Sequence, residues 1–141
     1  MLTTAEIAAR VAGDRLPLLT LDEFFDGNVA EDSLAPNRWG FGRPTLAEIA
    51  DRLRTLGERD DIAWIRIGLH DDTELDEATG DVIAESVLLS TTLPAAELEE
   101  MLDVEWLHSD GIVESDESSM EDYTDIPPVI GHHRVVFLVW D

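Results

Sequence analysis

The stretch RVVFLVW (134–140) is apolar at nearly every position. Successive side chains of a strand point to opposite faces, so an uninterrupted apolar run has to be covered on both. The pattern predicts a covered, central strand, and the rest of the fold has to be built around it. IAWIRIGL (62–69) predicts a second strand, with Ala63, Ile65, Ile67 and Leu69 on one face and Trp64 and Arg66 on the other. VIAESVLLS (82–90) predicts a third, and the intervening HDDTELDEATGD makes the two a long-looped hairpin. VEWLHS (104–109) reads as a short strand or as the frayed end of a preceding helix.

Three segments open with Thr followed three residues later by Glu: Thr3/Glu6, Thr20/Glu23 and Thr45/Glu48. In a capping box these two side chains satisfy helix-end amides that otherwise lack partners. The first predicts a short helix over 4–12, stopped by Gly13, and the second a turn and a half over LDEFFD, stopped by Gly27-Asn28. The third predicts the longest helix, with Leu46, Ile49, Leu53 and Leu56 at helical spacing, Glu48 paired with Arg52, and Gly57 after the last turn. A fourth helix over 94–102 starts with Pro94 in its first turn. Between the second and third, residues 28–44 read as a long loop rich in Gly, Pro and Asn. The order helix, strand, strand, helix, strand predicts an α+β, two-layer sandwich: a mainly antiparallel sheet of three to four strands with helices on one face.

Charge divides the chain. Residues 1–70 carry 12 Asp/Glu against eight Arg, residues 71–141 carry 20 against Arg134 alone, and there is no Lys. Arg in place of Lys fits a high-GC genome, but that does not account for the asymmetry. The field repels nucleic acid and anionic membrane and attracts basic proteins or cations. At 141 residues and 44% hydrophobic content, the chain is expected to be a single domain, 1–141. It has no cysteine, which excludes disulfides, thiolate catalysis and Cys-ligated zinc. No apolar run approaches the ~20 residues of a membrane helix, and MLTTAEIAAR lacks the basic and apolar regions of a signal peptide. The cytoplasm is the expected location.

The loop at 70–81 alternates oxygen ligands at Asp72, Glu74 and Asp76, as a calcium loop does. It has Glu77 and Ile83 where that motif requires Gly and Glu, so a solvated hairpin loop is the better reading. His70, His108, His132 and His133 follow no metal-ligand spacing, and the last two would point to opposite sides of a strand. No metal or cofactor is expected. Neither GxSxG nor another nucleophile elbow is present, and carboxylates are too abundant for any pair to single itself out as acid and base. RWGFGRP (38–44) lacks the third glycine and the lysine of a phosphate loop, so Trp39 and Phe41 are expected to pack the loop onto the third helix.

SDGIVESDESSMEDYTD (109–125) interleaves carboxylates with apolar groups and contains no basic residue. Such a block suits a basic partner, with steering from the acids and affinity from the apolar anchors; it equally suits a solvated loop without a partner. A partner-binding surface is therefore expected at Trp106, Asp110, Glu114, Asp116, Glu117, Glu121, Asp122 and Tyr123. The stretch 109–130 is expected to be an acidic, mobile loop. A rival reading places an anionic-ligand site near Trp64, Arg66 and Arg134, against the simpler reading that Arg66 forms a structural cross-strand ion pair with Glu85.

LTLDEFFDGN (19–28) and the ending RVVFLVWD resemble a set of small acidic bacterial proteins of unknown function sharing an E-F-F-x-G-N segment and a terminal W-D. Size, acidity and the lack of a catalytic motif are also similar to the immunity proteins of bacterial toxin systems. That second likeness transfers no residues. Together these imply a non-catalytic, immunity- or antitoxin-type inhibitor of a basic protein such as a nuclease toxin.

Overall fold

Four strands form the antiparallel sheet that the apolar runs call for. The computed structural model describes residues 1–70, 73, 75, 82–115 and 120–140. Within them the sheet has the order β2 (Ile62–Leu69), β3 (Ala84–Thr91), β6 (Arg134–Val139), β4 (Gly111–Glu114), with antiparallel neighbours throughout. The predicted central strand β6 is indeed interior, between β3 and β4. A second, two-stranded parallel sheet joins β1 (Leu16–Pro17) to β5 (Tyr123–Thr124), an element that two-residue strands give no pattern to foresee. The fold class is α+β.

All three capping boxes form, each with the Thr hydroxyl accepting from the Glu amide and the Glu carboxylate accepting from the Thr amide. They open α1 (Thr4–Ala8), α2 (Leu21–Phe25) and α3 (Leu46–Gly57). α1 ends sooner than expected because the chain folds back on itself, with Ala12 and Arg15 exchanging backbone hydrogen bonds around Gly13. Glu48 is held by Thr45, and the expected Glu48–Arg52 pair gives way to a longer reach by Arg52. Its Nη1 donates to Leu102 O at 2.9 Å and its guanidinium lies 4.4 Å from the Trp106 ring centre. Pro94 is the N-cap of α4 (Ala95–Leu102), not part of its first turn. Asp103, at φ 55°, ends α4, and its carboxylate accepts from Trp106 N to start the single turn α5 (Val104–Leu107), so 104–107 is a separate helical turn and not a strand.

One face of the sheet meets the helices. Ile65, Ile67, Val87, Leu89, Val136 and Leu138 bury there against Phe24, Ile49, Leu53, Leu98 and Leu102. A bulge between Ile62 and Trp64 puts Ile62 in this core and leaves Ala63 exposed, a correction to the simple alternation. The opposite face carries a smaller cluster: Trp64, Leu88 and Val135 with Leu18, flanked by Met120, Tyr123 and Phe137. The covering on that side comes from β1, β5 and the chain after it, which is how β6 satisfies the requirement for two covered faces.

The stretch 109–130 is not a loop throughout, since its described residues include β4 and β5. Counting charges within the segment misses the arginines that arrive from elsewhere. Arg38 binds both oxygens of Asp110, Arg134 binds Glu114, and Arg10 Nε reaches Asp125 Oδ2 at 2.7 Å. Neither sheet edge is left bare. Leu19 exchanges two hydrogen bonds with Ile67 on β2, and Glu99 of α4 accepts from Ile112 N on β4 at 3.1 Å. Edge amides left open recruit foreign strands.

Candidate functional site

At the end of the β2–β3 hairpin two polar clefts lie back to back. His70 follows β2 directly, and its amide donates to Ile83 O at 2.7 Å. On β3, Glu85 occupies the irregularity between the Gly68–Ser86 and Leu69–Ala84 pairs, and its carbonyl accepts from Trp140 N. These placements bring His70 Nε2 to 3.4 Å from Glu85 Oε1. The pair forms the wall shared by both clefts. One, of about 170 Å³, is completed by Arg38, Asn37 and Trp140 among others. The other, of about 140 Å³, is completed by Leu16, Leu69, Asp122 and Tyr123.

Besides His70, the second cleft is lined by the Glu85 and Asp122 carboxylates and the Tyr123 hydroxyl, with two leucines beside them. Such a lining suits an ammonium or guanidinium group, whose donors the carboxylates receive and whose methylene stem the leucines cover. Tyr123 is seated over Gly68: a Cβ at that position would lie 3.1 Å from the Tyr123 hydroxyl and 2.5 Å from Ser86 Oγ. Glycine is thus needed for close approach. Ser86 Oγ is buried and has no hydrogen-bond partner among the described residues.

Beyond the cleft, the ribbon 120–130 is fastened to the body of the protein. Leu16 N donates to Asp122 O, Leu18 N to Thr124 O, Thr124 Oγ1 to Arg10 O, and Trp64 Nε1 to Pro128 O. Burial works against the charge of Arg10, yet the hydrogen bond to Asp125 and the nearby Glu23 more than offset it and hold the guanidinium above its ordinary pKa. On its outer side the ribbon shows Glu121 and Asp122, neither with an arginine partner among the described residues, together with Ile126, Val129 and Ile130.

Of the eight residues expected to form one partner surface, the six described ones do not converge. Asp122 and Tyr123 line the second cleft, with Glu121 beside them, and Asp110 is tied to Arg38 of the first. Glu114 is held by Arg134 on the helix side of β4, and Trp106 lies under Arg52 against the main core. Trp106 is therefore a packing residue, because Arg52 and the core occupy its ring. Asp116 and Glu117 lie outside the described residues, as do Asp72, Glu74, Asp76 and Glu77 of the calcium-like loop.

The rival site is not assembled either. Arg66 shares the Trp64 face of the sheet, whereas Arg134, three registers along and of opposite parity, points to the helix side and is bonded to Glu114. Arg66 pairs in register with Leu88, three residues along β3 from Glu85, and Glu85 lies beside His70 instead. Burial pushes the Arg66 guanidinium below its ordinary pKa, and its Nη1 donates to Ile65 O at 2.9 Å.

The sequence reading named His70 and Glu85 but did not pair them, and it missed the apolar ribbon residues as a surface. The IPPVI run was the available signal, since two prolines between branched apolar residues give neither a helix nor a central strand. It also misplaced Phe41, which is 77% exposed and does not pack on α3. Trp39 stacks 4.7 Å from the buried guanidinium of Arg43, which burial holds below its ordinary pKa and whose Nη2 donates to Glu31 O. A larger cavity, about 520 Å³, lies elsewhere, between the first residues and the 27–36 loop. The resemblance motifs have structural positions: Phe24 and Phe25 fill the core, Asn28 ties the loop to Phe24 O and Ser33, and Trp140 Nε1 donates to Leu107 O.

These features define a small acidic α+β protein whose polar clefts meet at a His–Glu pair. No helix of the described residues is long and apolar enough to cross a membrane. The chain belongs to the family described as the uncharacterized protein YfbO family, whose model matches residues 2–138. No curated protein and no solved structure matches it.

Proposed function

We propose that this is a non-catalytic binding protein of the cytoplasm whose acidic half engages a basic protein, in the manner of an immunity or antitoxin inhibitor of a nuclease toxin. The observation that supports this reading is how charge is distributed over the acidic half. Arginines neutralise the carboxylates that hold the framework together, at Asp110, Glu114 and Asp125, while Glu121 and Asp122 stay exposed on a fastened ribbon. Nucleases hold phosphates with Lys and Arg, and a fixed row of carboxylates occupies such a site by presenting the substrate's charge. A net charge of −23 steers a cationic partner from a distance, with a reach set by a Debye length of about 8 Å at physiological ionic strength.

The test is a pull-down from the source organism with the full chain at low salt, followed by assay of the captured protein for nuclease activity. A basic protein that releases at high salt and is inhibited while bound supports the proposal. Recovery of no basic protein at low salt refutes it.

A further inference from the structure

We infer that the basic partner docks on the face made by the ribbon 120–130 and the cleft beside it, with one partner arginine or lysine seated between Glu85 and Asp122. The inference rests on the proposed function and says where on the molecule it is carried out. Charge alone does not choose among the acidic surfaces, since α4 presents Glu97 and Glu100 and the turn after α3 presents Glu58, Asp60 and Asp61. The ribbon differs in what accompanies its carboxylates. Ile126, Val129 and Ile130 are 37%, 48% and 60% exposed within five residues, whereas the apolar residues of α4 are turned into the core. Affinity comes from apolar groups removed from water at the centre of an interface, and carboxylates without such groups supply steering only.

Rigidity favours the same face. Pro127 and Pro128 fix two φ angles between the exposed apolar residues, and the hydrogen bond from Trp64 to Pro128 O fastens that point to the sheet. A preordered surface gives up little conformational entropy on binding. The adjoining cleft, at about 140 Å³, has room for the head of one cationic side chain and for little more. Asp122 belongs to both ribbon and cleft, so a partner laid along the ribbon reaches the cleft with its next cation.

The experiment uses an octapeptide of alternating arginine and tryptophan as the basic, apolar probe. It is titrated at low ionic strength into the isotopically labelled full chain, with binding followed by amide shifts. Saturable shifts are expected at Glu85, Asp122, Tyr123 and Ile126–Ile130. The exposed double variant Val129→Ser/Ile130→Ser should weaken binding about tenfold, a partial loss of the burial energy of two branched side chains. Glu97→Gln/Glu100→Gln should change it less than about twofold, as expected for charges outside the contact. Thermal melts of each variant control for folding. Shifts confined to α4, or spread evenly over all acidic segments, would overturn the docking face while leaving a binder of basic proteins in place. Absence of any binding would overturn the proposed function itself.

Discussion

Arg134 grips Glu114 with Nε and Nη2, in three contacts of 2.8 to 3.0 Å, and places Nη1 3.3 Å from Thr91 O. The sole cation of residues 71–141 therefore ties together β3, β6 and the edge strand β4. Both side chains are more than a third exposed, so screening limits the energy of the pair. Arg134→Gln is expected to cost about 0.5–1 kcal/mol in urea unfolding and to speed hydrogen exchange at Ile112–Glu114. Unchanged exchange in β4 would mean that its hydrogen bonds to β6 hold it without the pair.

The contact between the ribbon and the sheet is tested at Gly68. An alanine there puts Cβ within 2.5 Å of Ser86 Oγ and 3.0 Å of Leu88 Cδ1. Overpacking of this kind costs about 1–3 kcal/mol. Ser86→Ala removes a buried hydroxyl that has no partner among the described residues, so by itself it should be neutral or stabilising by up to about 1 kcal/mol, and it should rescue part of the Gly68→Ala loss. If Gly68→Ala unfolds at the same urea concentration as the parent, Gly68 is not packed against Ser86, Leu88 and Tyr123 as described.

Acid stability follows from two carboxylates. The Arg59 hydrogen bond holds Asp61 below its usual 3.8, and the Thr3 amide and hydroxyl hold Glu6 below its usual 4.5. A carboxylate with a lowered pKa in the folded state stabilises above its unfolded pKa, and the gain is lost as pH falls through the folded value. Protonation of other carboxylates on the way down relieves the −23 self-repulsion and works in the opposite sense. The melting temperature should therefore hold or rise from neutral pH to about 5 and drop below about 4. A steady decline starting at neutral pH would contradict this balance. Asp61→Asn should flatten the acid limb.

Glu99 gives a test of edge protection. Its carboxylate accepts from Ile112 N, a free-edge amide of β4. Glu99→Ala should expose that donor, accelerate its exchange and make the protein associate with rising concentration in sedimentation experiments. A variant that stays monomeric with a slow Ile112 amide would show that the edge needs no such cover.

Much of the framework was legible because it rests on local chemistry. The three Thr–Glu caps act over three residues, and the bounds of β2 and the central place of β6 follow from apolar runs. What escaped was set by contacts distant in sequence. Arg10 reaches Asp125 across 115 residues and Arg38 reaches Asp110 across 72, so the acidic segment gains cations that its own composition lacks. The register sets Leu88 opposite Arg66 and leaves Glu85 beside His70, and no periodicity reveals that. Trp106 looked like a binding anchor because tryptophan often is one, but Arg52 from α3 covers it. Asp122 and Tyr123 drew notice because they lie among the carboxylates, while Ile126, Val129 and Ile130 were taken as the tail of a loop.

The central claim, that an acidic face captures a basic partner, is tested most directly by the salt dependence of the association rate. The full chain and the basic protein it captures would be mixed by stopped flow across rising ionic strength. Between about 0.1 M and 1 M the Debye length falls from about 10 Å to about 3 Å, and steering by the −23 charge should fade with it. The association rate should fall about tenfold or more, with Glu121→Lys/Asp122→Lys slow already at low salt. A rate that stays constant with salt and is indifferent to those two substitutions would contradict the claim.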